Sequence, residues 1–321
     1  MNTPRFSIAL FNPTSRVGKP ALRCCGLLAA ACLVLPLHAQ DTEKEPPAKT
    51  GAAAAQDADG VDGLNVDAAL QAEYRRLLRK YGMTIVDKSK INGAIPIKLG
   101  DISEERLLTF FSSLDMLPIS FIRKSGIRKV LFCSSINYNG SAAAGLASGD
   151  TIYLASDNGW VIYHELFHIA DPQRKNSRWT LLNNRNFIYG GSQFRDAKLT
   201  ASQRKKMEND TADYSADFAS DYAMTFEWED RAETFTLMLM SPKAFAKKAE
   251  ASPVLAKKGA LIREISKRFS SDMDADYWDF VAQSDDKSRQ QTLVERAQAN
   301  ASGKQVTTGG YKREQGKKKE E

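Results

Sequence analysis

The chain has 321 residues, 42% hydrophobic and 26% charged, an ordinary globular composition with nothing in it that points to a fibrous or membrane-spanning protein. The formal charge of +6 belongs to the termini: residues 1–39 carry four of the 45 Lys and Arg, residues 303–321 carry six against three acids, and 35 basic against 36 acidic residues remain. A body with a net charge of −1 gives no reason to expect a nucleic acid or an anionic membrane as partner.

Residues 1–39 have the layout of a secretory signal peptide. Arg5, Arg16, Lys19 and Arg23 precede the apolar run Cys25 to Leu37, which ends in Leu37-His38-Ala39. The run is short for a transmembrane helix, so no stable membrane span is expected after cleavage. The mature protein is expected to be exported, in the periplasm or outside the cell. Of the four cysteines only Cys133 lies beyond the signal. An internal disulfide is then impossible, and Cys133 reads as a small buried hydrophobe on a strand.

Residues 40–63 have hardly a large apolar side chain and form a flexible leader, as do residues 301–321 at the other end. Between them, 64–300 is one domain or two closely packed lobes. Ala69, Tyr74, Leu77, Leu78 and Tyr81 predict a first helix stopped by Gly82. A second is expected from Ser103 to Leu114, capped by Asp101 or Ser103. Strands are predicted over 127–133 and 151–155, separated by the Gly- and Ala-rich stretch 140–149. Asp157-Asn158-Gly159 caps a helix over 160–170 that Pro172 ends. The polar stretch 173–211, with Trp179, Phe187 and Tyr189 embedded, is expected to be an ordered loop covering a site. Helical periodicity returns from Trp228 to about Lys248 and again from Pro253 to Phe269. The class is α+β.

The chemistry lies in His164-Glu165-Leu166-Phe167-His168. Residues four apart share a helix face, so two imidazoles can meet one ion. Glu165, next round the helix, can reach a water on that ion without becoming a ligand, which is the arrangement of a metal-assisted hydrolase. The three histidines are His38, His164 and His168, and His38 leaves with the signal. A third imidazole ligand is therefore excluded, and a catalytic zinc ion, Zn2+, needs a carboxylate from downstream. Glu229 and Glu233, four apart on one face of a predicted helix, are the best source. One can ligate while the other supports a ligand histidine, and spacing alone does not rank them.

The motif, Ala170-Asp171 after it, and Tyr222 seven places before Glu229-Asp-Arg-Ala-Glu233-Thr-Phe235 together resemble the zinc peptidases that include anthrax lethal factor and the secreted Pro-Pro endopeptidases, of the gluzincin-like His-Glu-x-x-His plus glutamate type. The resemblance covers two short blocks, and the interval from His168 to Glu229 is long for that family. It implies a zincin-like metallopeptidase domain with a small sheet and a helical C-terminal part. It also implies His164, His168 and Glu229 as ligands, Glu233 as their support, Tyr222 as the electrophilic or proton-donating group, and Asp171 as a residue that orients an imidazole. A zinc-dependent endopeptidase acting on polypeptides follows, with Glu165 as general base and the strand at 151–155 as an edge for extended substrate. A zinc hydrolase of cell-wall peptides and a non-catalytic zinc-containing binding module are the rival readings.

Overall fold

The structure is a computed structural model describing residues 66–304, apart from 87–96, 101, 139–140, 172–176, 191–199, 201, 203–211 and 285. The signal peptide over 1–39, the leader over 40–63 and residues 305–321 of the tail lie outside the described residues. It is a helix-rich α+β fold with a small mixed sheet.

Helix α1 (Ala68–Tyr81) starts where the Asp67 carboxylate accepts from the amides of Ala69 and Leu70, and stops at Gly82, whose φ of 67° is open to glycine. Strands β1 (Thr84–Ile85) and β2 (Ile97–Leu99) follow. Helix α2 (Glu104–Met116) takes Ser103 as its cap, with two glutamates in its first turn where the helix dipole favours them. The short α3 (Ile119–Ser125) leads into β3 (Lys129–Tyr138), the spine of the sheet.

The first half of β3 pairs in parallel with β1 and with β6 (Thr151–Leu154). Its second half pairs antiparallel with β2 and with β4 (Ser141–Ala143). Strand β5 (Gly145–Ser148) runs antiparallel to β6, giving the order β1-β3-β6-β5. Two strands thus occupy the small-residue stretch read as a separator, because ladder pairing uses backbone groups that alanine and glycine supply as well as any residue. One expectation is corrected. Residues 151–154 sit between β3 and β5, so β6 is interior and the edge is β5.

Side chains alternate across the sheet. Val130, Phe132, Ile152 and Leu154 face the main helical core, while Leu131, Cys133, Tyr153 and Leu146 form a smaller cluster on the other face. Burial pushes the Cys133 thiol up to about 11 against the opposing pull of Arg106, which suits a packed hydrophobe and not a nucleophile.

Helix α4 (Gly159–Ala170), capped by the Asn158 side chain, is buried on nearly every side between the sheet and α6 (Glu227–Met240). A helix apolar all round is a core helix. Phe235 of α6 lies 4.6 Å from Phe167 of α4 and 5.9 Å from Phe121 of α3, ring centre to ring centre, which fixes how the helices meet. Between them come α5 (Ser177–Thr180) and two 3-10 turns, Ser215–Asp217 and Tyr222–Met224.

The periodicity from 228 to 248 belongs to two helices, α6 and α7 (Pro242–Ala251), because Pro242 has no N–H to continue α6 and opens a helix of its own. Helix α8 (Pro253–Phe269) is followed by α9 (Ala275–Gln283) and α10 (Asp286–Ala301), which returns to pack on α1 and α2. Among the described residues no helix is long and apolar enough to cross a membrane.

Candidate metal centre

His164 and His168 project from one side of α4, and Glu229 meets them from the first turn of α6. All three side chains are buried. The two Nε2 atoms lie 3.0 Å apart, and Glu229 Oε2 is 3.0 Å from the first and 3.3 Å from the second. Tetrahedral ligand atoms at zinc distances of roughly 2.05 Å would stand about 3.3 Å from one another. The trio therefore has the dimensions of one face of such a site. Among the described residues it is the group of His, Cys and carboxylate side chains able to share an ion.

The proton positions agree with that use. Glu233 Oε1 accepts the Trp160 Nε1–H at 2.8 Å, and indole is a donor only. The His164 Nδ1 contact to the same oxygen, also 2.8 Å, is an Nδ1–H bond wherever Glu233 is a carboxylate, which can only accept. That bond leaves His164 Nε2 as the ring nitrogen that could bind a metal at the trio. Burial alone would raise the Glu229 carboxyl, but attraction to His168 and hydrogen bonds donated by His164 and His168 hold it down at about 2, so it is an anion. Two imidazole nitrogens and a carboxylate oxygen converging in a buried site call for a cation between them, and a divalent metal can replace the protons they otherwise share.

Glu165 is buried beside His164 and lies against β5. A Cβ on Gly145 would overlap Val161 Cγ1 and come within 2.8 Å of Glu165 Cγ and 3.0 Å of its Oε1. Glycine is what lets the edge strand touch the carboxylate residue. Tyr222 is half-buried in its 3-10 turn, its ring centre 6.0 Å from that of His164.

Of the residues singled out from sequence, the structure brings His164, Glu165, His168, Tyr222, Glu229 and Glu233 together. Asp171 orients neither imidazole. Its carboxylate accepts from Nε of Arg231, a fully buried guanidinium that also reaches Glu227, while His168 Nδ1 has no hydrogen-bond partner among the described residues. The buried guanidinium on α6 takes the carboxylate at the end of α4 in a charge-assisted bond.

Two supporting residues escaped the sequence reading. Trp160 and Ser220 both donate to Glu233, the hydroxyl at 2.5 Å. A third feature is Asp230, next to Glu229 and fully buried, which accepts from Trp179 Nε1 at 2.9 Å and the Tyr189 hydroxyl at 2.6 Å and pairs with Lys258 at 2.8 Å. Through Asp230, Trp179 and Tyr189 of the long polar stretch are bonded to the helix that carries Glu229.

No protein-family model matches the chain, and no curated protein matches its sequence. One solved structure, a crystal structure of a candidate zinc-binding metallo-peptidase from Bacteroides caccae, is similar at 14% identity and a TM-score of 0.43, over 72% of this chain and 96% of that one.

Proposed function

We propose that this protein is an exported zinc-dependent endopeptidase of the lethal factor and Pro-Pro endopeptidase type. The observation that carries the reading is the triangle of His164 Nε2, His168 Nε2 and Glu229 Oε2, with edges of 3.0–3.3 Å and Glu165 beside it. Those three atoms would hold the ion, and Glu233 keeps the His164 ring in the tautomer that can bind it. When bound, zinc would acidify a water and polarise a substrate carbonyl.

The rest of the chemistry belongs to side chains. Glu165 takes the proton of the attacking water and returns it to the leaving amine. Tyr222 donates a hydrogen bond to the oxygen on which charge develops. An extended peptide pairs with the edge of β5, where Gly145 lets it lie close to Glu165. Export rests on the signal-like residues 1–39, and a mature N-terminus near Gln40 is expected.

The test is to purify the mature chain, count its zinc, and digest protein and muropeptide substrates with it and with Glu165→Gln. About one zinc per chain is expected in both, with protein cleavage reduced by at least a hundredfold in the variant. A zinc-loaded Glu165→Gln protein with full proteolysis overturns the assignment, and turnover of muropeptides alone overturns the substrate class.

A further inference from the structure

The segment carrying Ser220 and Tyr222 is held from behind by two lysines. Lys258 of α8 is fully buried. Its ammonium pairs with Asp230, donates to the Asp217 carbonyl at 2.9 Å and stands 3.5 Å over the Phe218 ring centre. Lys248 of α7 donates to the carbonyls of Phe218 at 3.1 Å and Ala219 at 3.0 Å. Ser252, between those helices, donates to the Asp217 carboxylate at 2.6 Å.

Three successive backbone carbonyls, 217 to 219, are therefore each taken by an ammonium group. Phe218 is extended, at φ −127° and ψ 151°, and belongs to no strand, so its carbonyl has neither helix nor sheet to satisfy it. Burying an ammonium is a costly way to satisfy a loop, and simple stability is served better by apolar packing. What the arrangement adds is placement. The next residue, Ser220, donates to Glu233, which holds His164, and Tyr222 follows two places later.

We propose that Lys258 and Lys248 are positioning residues for the metal centre. They fix 217–219 against α6, so that Ser220 seats Glu233 on His164 and Tyr222 faces the same ring. The inference rests on the metal-binding part of the proposed function and deepens it, adding a layer of control from the C-terminal helices.

Lys258→Met would leave Asp230 buried without its cation and endanger the fold, so Lys248→Met, at a half-buried position, carries the test. Zinc affinity of the mature protein is read by competition with a chromophoric chelator. Lys248→Met is expected to weaken binding about tenfold or more, the usual effect of losing a supporting contact behind a ligand. Lys248→Arg should restore most of it. In a Ser220→Ala background the same change should have little further effect, because the path through Ser220 is already cut. Amide exchange in the metal-free protein should quicken over 217–224 and not over α4. Unchanged zinc affinity, an equal loss in the Ser220→Ala background, or exchange raised uniformly through the protein overturns the proposal. The assay needs no turnover, so a wild type that binds zinc but cleaves no peptide defeats the peptidase reading separately.

Discussion

At Tyr222 a single oxygen is at stake. The ring lies beside His164, on a turn whose backbone is closed by the Thr225 N–H and hydroxyl bonding back to the Tyr222 carbonyl. Tyr222→Phe keeps the ring and removes only the hydroxyl. Steady-state kinetics should show kcat down by about a hundredfold with KM little changed, the pattern of a contact made in the transition state. Zinc content should stay as in the wild type; a variant that loses its zinc would mean Tyr222 is structural. Gly145→Ala probes the opposite side. The added methyl has no room against Val161 and Glu165, so activity should fall while zinc remains, and kcat measured at saturating zinc checks this. The four-residue spacing made the two histidines legible, and the histidine count made an acidic third ligand legible. The partners of Glu233 were not. Trp160 reaches it across 73 positions and Ser220 across 13, and nothing local marks an indole or a hydroxyl as belonging to a carboxylate that far away.

At the scale of elements, legibility followed side-chain pattern. Helices with an apolar stripe and a cap, such as α1 and α8, could be read because their burial is written in every third or fourth residue. Strands β4 and β5 could not, since Ser-Ala-Ala and Gly-Leu-Ala-Ser carry no alternation and are held by pairing with β3 and β6. Missing β5 is what turned β6 into a supposed edge. The junction of α4 and α6 was equally hidden, because Arg231 looks like a surface residue until its helix is placed. There it is fully buried and joins Asp171 at the end of α4 to Glu227 at the start of α6. Arg231→Met fills similar volume but strands both carboxylates. A loss of about 3 kcal/mol is expected, the scale of removing one partner from a buried ion pair. Denaturant melts of the zinc-free proteins measure it, and a change under about 0.5 kcal/mol, the range of an ordinary surface substitution, would show that the link is not structural.

Across the whole molecule, the two ends of the described chain are closed on each other by charge. Arg296 of α10, almost fully buried, donates to Glu73 of α1 at 2.6 Å and to Asp115 of α2 at 2.7 Å, while Arg76 adds a second cation to Glu73 at 2.7 Å. Burial by itself would raise the Glu73 carboxyl, yet Arg76 and Arg296 outweigh it and hold the group below its ordinary value of 4.5. A carboxyl whose folded pKa is depressed binds its proton less readily folded than unfolded. Its contribution is complete above the unfolded value and is lost as pH falls through the folded one. Acid should therefore loosen α10 from α1, at a distance in sequence from every metal ligand. Glu73→Gln tests this directly, because the amide cannot titrate and lacks the charge at every pH. The variant should melt below the wild type at pH 7, and the gap in Tm should narrow as pH drops below about 4.5. Both proteins are compared without zinc, so that release of the metal does not enter the difference. A gap that stays constant from pH 7 to about pH 3 would mean that Glu73 contributes through packing and hydrogen bonding alone, since only the charged form of the carboxylate is sensitive to this window.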